Sequence, residues 1–540
     1  MCNFFFYGWE KPMEKAIKQA IQSGRLVLGL ELGSTRIKAE LLTDQLTPVA
    51  TGAYGWTNDY QNGNWTYSLA QVWRGIQAAY QALATAVKTQ YDCQLEQIGA
   101  IGISAMMHGY LVFDDEDQLL TPFRTWRNNT TAAASAALSE LFGFNIPQRW
   151  SVAHLYQAIL NGEPVTRINT MTTLAGYVHW QLSGQKVVDV GDAAGMFPID
   201  SATGQYDATK LALFDALPAV QAQGLHLEPL LPTPLKAGTV AGYLTPAGAR
   251  LLDPSGVLQA GALMAPPEGD AGTGMVATNS VAVNSGNISV GTSAFAMVVL
   301  PAVPNHWDPA IDIVATPTGQ PVAMIHANNC SSDLNAWVTL LGDAITAATG
   351  MAPSDLYPKF LGTVPEADAD LGGLLAFANL SGENLTHVEQ GRPLQVRTPS
   401  SRLTLPNFMA TQLFAAFAPL AIGMAQLQQE VSLKQTAMVA QGGLFQTPKI
   451  AQQVLADALG MPITVMTNAD VGGPFGMAVL ALFALQGGGD LAAFLKARVF
   501  QAATGITLTP AAKGQAAYQQ FLMRYQQALP LARQAGNLVD

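Results

Sequence analysis

Two widely separated segments of this chain share one grammar, and that repetition is what most limits how it can fold. The first reads Leu26-Val27-Leu28-Gly29-Leu30-Glu31-Leu32, then Gly33-Ser34-Thr35, then Arg36-Ile37-Lys38-Ala39-Glu40-Leu41-Leu42. The second lies within residues 266–300, where an apolar-alternating strand meets Gly291-Thr292-Ser293 and a further apolar strand follows. Each is a strand, a turn of small hydroxylated residues and a strand, and such a turn offers backbone N–H groups to an anion. Two related halves, each with one phosphate-facing turn, are therefore expected. Near their join stands Asp270, flanked by Gly269, Ala271 and Gly272. A carboxylate with small neighbours can approach a hydroxyl closely, which is what a general base needs first. Turns and acid together point to phosphoryl transfer.

Length and composition agree with that plan. A chain of 540 residues exceeds one ordinary core, so two α/β domains of about 250 residues each are expected. Apolar residues make up 49% and charged ones 12%, but Gly, Pro and polar positions interrupt the apolar stretches, and no uninterrupted run of membrane-spanning length is found. The net charge of −11 disfavours nonspecific binding to nucleic acid or an anionic membrane. Cys2, Cys93 and Cys330 show no paired spacing, so they read as reduced cytosolic thiols rather than a disulfide framework or a zinc site. The aromatic run Phe4-Phe5-Phe6-Tyr7 is too short for a secretory segment, and residues 1–24 are read as an extension with a helix at 12–22.

Along the chain, Ser68 with Gln71 predicts a capped helix over 69–87, and 98–104 predicts a strand that delivers Met107-His108-Gly109 to its C-terminal end. A further strand is expected at 110–113, helices at 132–141 and 151–160, a loop at 191–195 and a hinge helix at 272–278. The later half predicts a strand at 322–326 and helices at 334–341 and 408–430.

The most specific string is residues 441–462, Gln441-Gly442-Gly443-Leu444-Phe445-Gln446-Thr447-Pro448 and onward. Taken with both hairpins and the acidic glycine loop, the chain resembles the FGGY carbohydrate kinases, sugar and polyol kinases of the actin-like ATPase superfamily. The resemblance runs from Arg25 to about Leu485. It implies two actin-like (ribonuclease H-like) ATPase domains flanking a central cleft, an N-terminal domain at 25–275 that binds sugar and carries the first phosphate turn, and a C-terminal domain at 276–540 with the second turn and the adenosine motif. ATP and Mg²⁺ are the implied co-substrate and ion. Asp270 is the implied base and lies on the metal side with Glu31. Gly33, Ser34, Thr35 and Lys38, then Gly291, Thr292 and Ser293, would hold the phosphates. Gly442, Gly443 and Thr447 would face the nucleoside. Residues 472–478, a small-residue helix start, would flank the nucleotide.

On the acceptor side, Met107, His108 and Gly109 resemble the xylulose kinase pattern, while Trp126, Arg127, Asn128 and Asn129 resemble the ribulose kinases. Met107, His108, Trp126 and Arg127 are the candidate sugar contacts, and a ketopentose is the expected substrate. The sequence departs from the family at three places. Glu31 replaces an aspartate, asparagines replace an aspartate after Trp126, and Asn384 replaces an arginine in the loop at 380–384. Residues 328–333 have no counterpart in the pattern. Two rivals stay open at this point: an actin-like ATPase working as a switch without a sugar, and an inactive sugar-binding regulator. A cytoplasmic enzyme is expected, with a homodimer allowed.

Overall fold

In the computed structural model, residues 12–431, 438–447, 449–466, 472–501 and 504–538 are described, and both expected hairpins form. The Phe4–Tyr7 aromatic run, Cys2 and Pro448 lie outside the described residues.

The chain divides into two compact units, and the division is interleaved rather than a single cut near residue 275. Unit one takes the chain up to Asn279, with Val314–Gln320 and Asp470–Gln501; unit two takes Ser280–Ile313, Pro321–Ala469 and Ala502–Asp540. In unit one, strand Pro48–Gly55 pairs antiparallel with Arg36–Thr43, which pairs antiparallel with Leu26–Leu32. Ala100–Ala105 and Leu263–Met264 then extend the sheet in parallel. Unit two repeats the order. Pro321–Ala327, Ala294–Val299 and Gly286–Val290 are antiparallel neighbours, and Met438–Gly442 and Ile463–Met466 extend them in parallel. The duplicated hairpin is thus the corner of a duplicated sheet.

Burial dictates most elements around these sheets. The helix Leu69–Tyr91 starts with the reciprocal bonds expected of Ser68 and Gln71, which satisfy two otherwise orphaned N–H groups and contribute about 1 kcal/mol. Its buried face, Val72, Ile76, Leu83 and Val87, covers the antiparallel strands. On unit one's sheet also lies the helix Gly473–Leu485, buried continuously from Pro474 to Ala484. Gly29 makes that approach possible, because a Cβ there would meet the Pro474 carbonyl oxygen at 1.9 Å. Its register partner Gly102 faces Met477 in the same way.

In unit two the helix Leu405–Glu430 is long and apolar enough to cross a membrane by length and composition, yet 89% of its apolar window is buried. With Leu, Val and Phe side chains each contributing about 1.5–3 kcal/mol on full burial, it reads as a core helix. Two expectations need correction. The segment expected as a loop at 191–195 contains a buried helical turn, Val190–Ala193, capped by the Asp189 carboxylate on Gly191 N–H. Asp270, expected in a loop, is the first residue of the helix Asp270–Ala277.

Candidate active site

In unit one the carboxyl ends of the parallel strands gather the expected acids. Glu31 sits at the end of Leu26–Leu32, opposite Lys38 on the neighbouring strand, and the Lys38 ammonium donates to Glu31 Oε2 at 3.1 Å. The Glu31 carboxylate also lies over the start of the helix Gly473–Leu485, where a Cβ on Gly473 would come within 2.2 Å of Oε1. A helix N-terminus favours a carboxylate beside it. That of Glu31 is stationed by a cation on one side and a helix dipole on the other.

Asp270 follows the short strand Glu268–Gly269, and its Oδ1 accepts from Met107 N–H at 3.3 Å. Its side chain is open to solvent, yet the protein around it desolvates the charge and, with Glu31 adding repulsion, pushes the carboxyl up to about 6. Two nearby carboxylates that repel one another suit a hard divalent cation held partly through water and phosphate oxygens. Among the described residues no group of three or more His, Cys, Asp or Glu could hold a metal by itself. A cation here would therefore lean on its other ligands, as Mg²⁺ does with nucleotides.

The first candidate phosphate turn has a definite hydrogen-bond pattern. Gly33 N–H bonds the Arg36 carbonyl at 3.1 Å, which leaves the Ser34 and Thr35 N–H groups without a partner among the described residues. Trp126 Nε1–H donates to the Ser34 hydroxyl at 3.1 Å, so the candidate acceptor loop and this turn meet. Arg127 is exposed, donates to Asn58 Oδ1 at 3.2 Å and stacks over Trp65 at 4.2 Å. His108 has a left-handed backbone (φ 68) and is buried, with its ring 6.3 Å from Trp150 and Nδ1 3.3 Å from the Gly195 carbonyl. Burial first and the Arg149 charge second hold it well below its ordinary pKa, so the ring is neutral. Met107 is buried as well. Unit one therefore brings together Glu31, Lys38, Ser34, Trp126, Met107 and Asp270, while His108 sits deeper and Arg127 further out.

In unit two the second turn repeats the pattern. Gly291 N–H bonds the Ser293 carbonyl at 2.8 Å, leaving the Thr292 and Ser293 N–H groups without a partner among the described residues. Gly442 is the register partner of Val290, so the glycine pair begins beside this turn at the end of adjacent parallel strands. Gly442 has φ 129, and a Cβ there would lie 1.8 Å from the Val290 carbonyl oxygen. Gly443 has open space around it, and both glycines are exposed. Thr447 is buried, so its side chain faces protein.

Several residues near these features escaped the sequence reading. Beneath Asp270 lie Asp189, Asp192 and Glu268, all with 0% exposure. Burial pushes Asp189 up to about 8 and raises Glu268 and Asp192 well above the carboxylate range, with neighbouring acids adding to the rise. Asp189 Oδ2 and Glu268 Oε2 are otherwise unpartnered, and a proton held between them satisfies both. No motif marks this cluster, since Glu268 lies 79 residues after Asp189 in sequence and the two meet only in the fold, where Asp189 N–H bonds the Pro267 carbonyl at 2.7 Å.

Residues 26–257 match the N-terminal domain, and residues 286–485 the C-terminal domain, of the FGGY family of carbohydrate kinases. The chain belongs to that family. It is 24% identical to the xylulose kinase of Escherichia coli (strain K12), over 94% of this chain and 100% of that one. Among solved structures it resembles the xylulose kinase from Rhodospirillum rubrum (TM-score 0.75, 21% identity, 94% and 99% of the two chains). It also resembles the gluconate kinase from Lactobacillus acidophilus (TM-score 0.75, 18% identity, 94% and 98%). The fold is that of a two-domain actin-like ATPase, and the enzyme is an FGGY carbohydrate kinase: it phosphorylates a small-molecule sugar with ATP as co-substrate. The readings as a switch ATPase or an inactive regulator give way to this one.

Proposed function

We propose that this FGGY kinase phosphorylates a ketopentose, xylulose or ribulose, and that Asp270 is its general base. The observation that carries the base assignment is the setting of Asp270: solvent-open at a helix start, with Oδ1 accepting from Met107 N–H, next to the candidate sugar contacts Met107 and His108. A carboxyl pushed up to about 6 is basic enough to take a proton and ionised enough to be ready near neutral pH. In the proposed step the sugar hydroxyl oxygen bonds the γ-phosphorus, the bond from that phosphorus to the ADP oxygen breaks, and the hydroxyl proton passes to Asp270.

Glu31 and Asp270 would hold Mg²⁺, and that ion would supply neutralising charge to the transferring phosphoryl group. The paired N–H groups of Ser34 and Thr35, and of Thr292 and Ser293, bind phosphate oxygens, with Lys38 adding a cation beside the first turn. Gly442 and Gly443 offer a side-chain-free surface to the nucleoside. Met107, Trp126, Arg127 and the neutral His108 form the acceptor side. The ketopentose assignment rests on Met107-His108-Gly109, on Arg127-Asn128-Asn129 and on the likeness to xylulose kinases.

ADP release measured against ketopentoses, ketohexoses, polyols and aldonates tests the substrate. Turnover that appears with xylulose or ribulose, and is at least tenfold lower in kcat/KM with the others, is expected. A preference for gluconate or glycerol overturns the ketopentose assignment, and equal ADP release without any sugar overturns sugar-dependent chemistry altogether.

A further inference from the structure

The two phosphate turns share a property that the hairpin sequence does not contain. In each, the partnerless N–H groups belong to peptide groups whose carbonyl oxygens are pinned from elsewhere in the same unit. In unit one, Trp56 Nε1–H donates to the Gly33 carbonyl at 2.7 Å and the Tyr67 hydroxyl donates to the Ser34 carbonyl at 2.6 Å. In unit two, Ser331 reaches the Gly291 carbonyl twice, through N–H at 3.1 Å and through Oγ at 2.6 Å, and Cys330 N–H reaches the Thr292 carbonyl at 2.9 Å.

A trans peptide group is planar, with its C=O and the following N–H pointing in opposite directions. Holding the Gly33 oxygen therefore aims the Ser34 N–H, and holding the Ser34 oxygen aims the Thr35 N–H. Holding the Gly291 and Thr292 oxygens aims the Thr292 and Ser293 N–H groups in turn. These are the four N–H groups left without partners in the two turns.

The pinning groups are themselves fixed. Trp56 and Tyr67 are 7% and 2% exposed, and their rings stack with centroids 4.2 Å apart. Burial pushes the Tyr67 hydroxyl up to about 12, so it remains a donor at neutral pH. Ser331 opens the helix Ser331–Thr349, whose first N–H groups have no intrahelical acceptor, so turn and helix satisfy one another. Just before it, Asn329 donates through N and Nδ2 to buried Glu383 Oε2 at 3.1 Å each and accepts from Ser381 N–H at 2.9 Å. Within residues 328–333, which had no counterpart in the motif pattern, Cys330 and Ser331 thus brace the second turn and Asn329 ties them to the 381–383 loop.

We propose that Trp56 and Tyr67 in unit one, and Ser331 in unit two, are positioning residues for phosphoryl transfer, which hold the turn carbonyls back so that the N–H groups of the same peptides face the nucleotide's polyphosphate. They act through the turns and need not touch the nucleotide. This rests on the phosphate-binding reading of the turns given above.

The test uses the full-length enzyme with Tyr67→Phe, which keeps the ring and removes only the donor, and Ser331→Ala. Affinities for adenosine and for a non-hydrolysable imido analogue of ATP are measured by calorimetry, beside steady-state kinetics. Each variant is expected to bind the analogue about fivefold to twentyfold more weakly, with a matching rise in the KM for ATP, while adenosine affinity and the KM for sugar stay within twofold. Analogue affinity within twofold of wild type, with only a lowered Tm, overturns the proposal, as does an equal loss for adenosine and analogue. Should Tyr67→Phe fail to fold, Ser331→Ala decides in the other unit. A control, Thr35→Glu, places a carboxylate on an exposed side chain of the first turn. If Thr35→Glu leaves analogue binding unchanged, the phosphate reading itself fails. If it abolishes binding while Tyr67→Phe changes nothing, only the positioning proposal fails.

Discussion

Trp126 donates its indole N–H to the Ser34 hydroxyl at 3.1 Å, joining the proposed acceptor loop to the first hairpin turn across 92 residues of sequence. The bond occupies an acceptor site on Ser34 and leaves the hydroxyl hydrogen free to face an anion. The proposed sugar-side and phosphate-side residues of unit one are thus mechanically linked.

Trp126→Phe keeps a large aromatic ring and removes that donor. With the hydroxyl no longer oriented, kcat/KM for ATP should fall about tenfold, the size of one well-placed hydrogen bond. Steady-state kinetics at saturating sugar is the measurement, and an unchanged value would show that the link has no part in catalysis.

Asp270→Asn preserves the shape of the side chain and the acceptor for Met107 N–H. As the loss of a general base, it should lower kcat by about a hundredfold to ten-thousandfold, with ADP affinity retained. Turnover within tenfold of wild type would remove Asp270 from that role.

Stability should depend on pH through the buried acid pair. Asp189 is pushed up to about 8 when folded, against an ordinary value of 3.8, because burial disfavours its charged form. Its contribution is therefore fully present below about pH 4 and is lost as the pH rises through 8, since the unfolded chain gives up the proton first. Asp189→Asn keeps a cap for Gly191 N–H and cannot ionise. Between pH 5 and pH 8.5 the variant's Tm should decline less than that of wild type. Parallel Tm curves across that range would contradict the assignment.

Gly442 and Gly443 are adjacent, yet they should respond differently to alanine. At Gly442 the backbone is in a region that L-residues rarely adopt, and the added carbon would meet the Val290 carbonyl, so Gly442→Ala should destabilise by roughly 3 kcal/mol. Gly443→Ala adds its methyl in open space and should stay within roughly 0.5 kcal/mol of wild type. Chemical denaturation of both variants distinguishes them, and equal stabilities would refute the argument.

The parts legible in sequence were those with local signatures. The hairpins announced themselves through Gly33-Ser34-Thr35 and Gly291-Thr292-Ser293, and the helix Leu69–Tyr91 through its Ser68–Gln71 cap. Asp270 was singled out by its small neighbours, although its place at a helix start was not visible. What escaped is non-local. Trp56 and Tyr67 lie 23 and 33 residues from the carbonyls they hold, and no spacing rule connects them. The sequence predicts a loop at 191–195, whereas burial and the Asp189 cap make Val190–Ala193 helical. Gly29 and Gly102 could be understood only once the register put them side by side beneath a helix from far along the chain.

That last arrangement bears on biogenesis. The helix Gly473–Leu485 covers the strand Leu26–Leu32, but it leaves the ribosome long after that strand does. Throughout translation, the face around Gly29 lacks its native cover and is a surface on which holdase chaperones would act. A prematurely terminated product ending at Asn279 would keep that face bare and should precipitate rather than behave as an independent sugar-binding fragment.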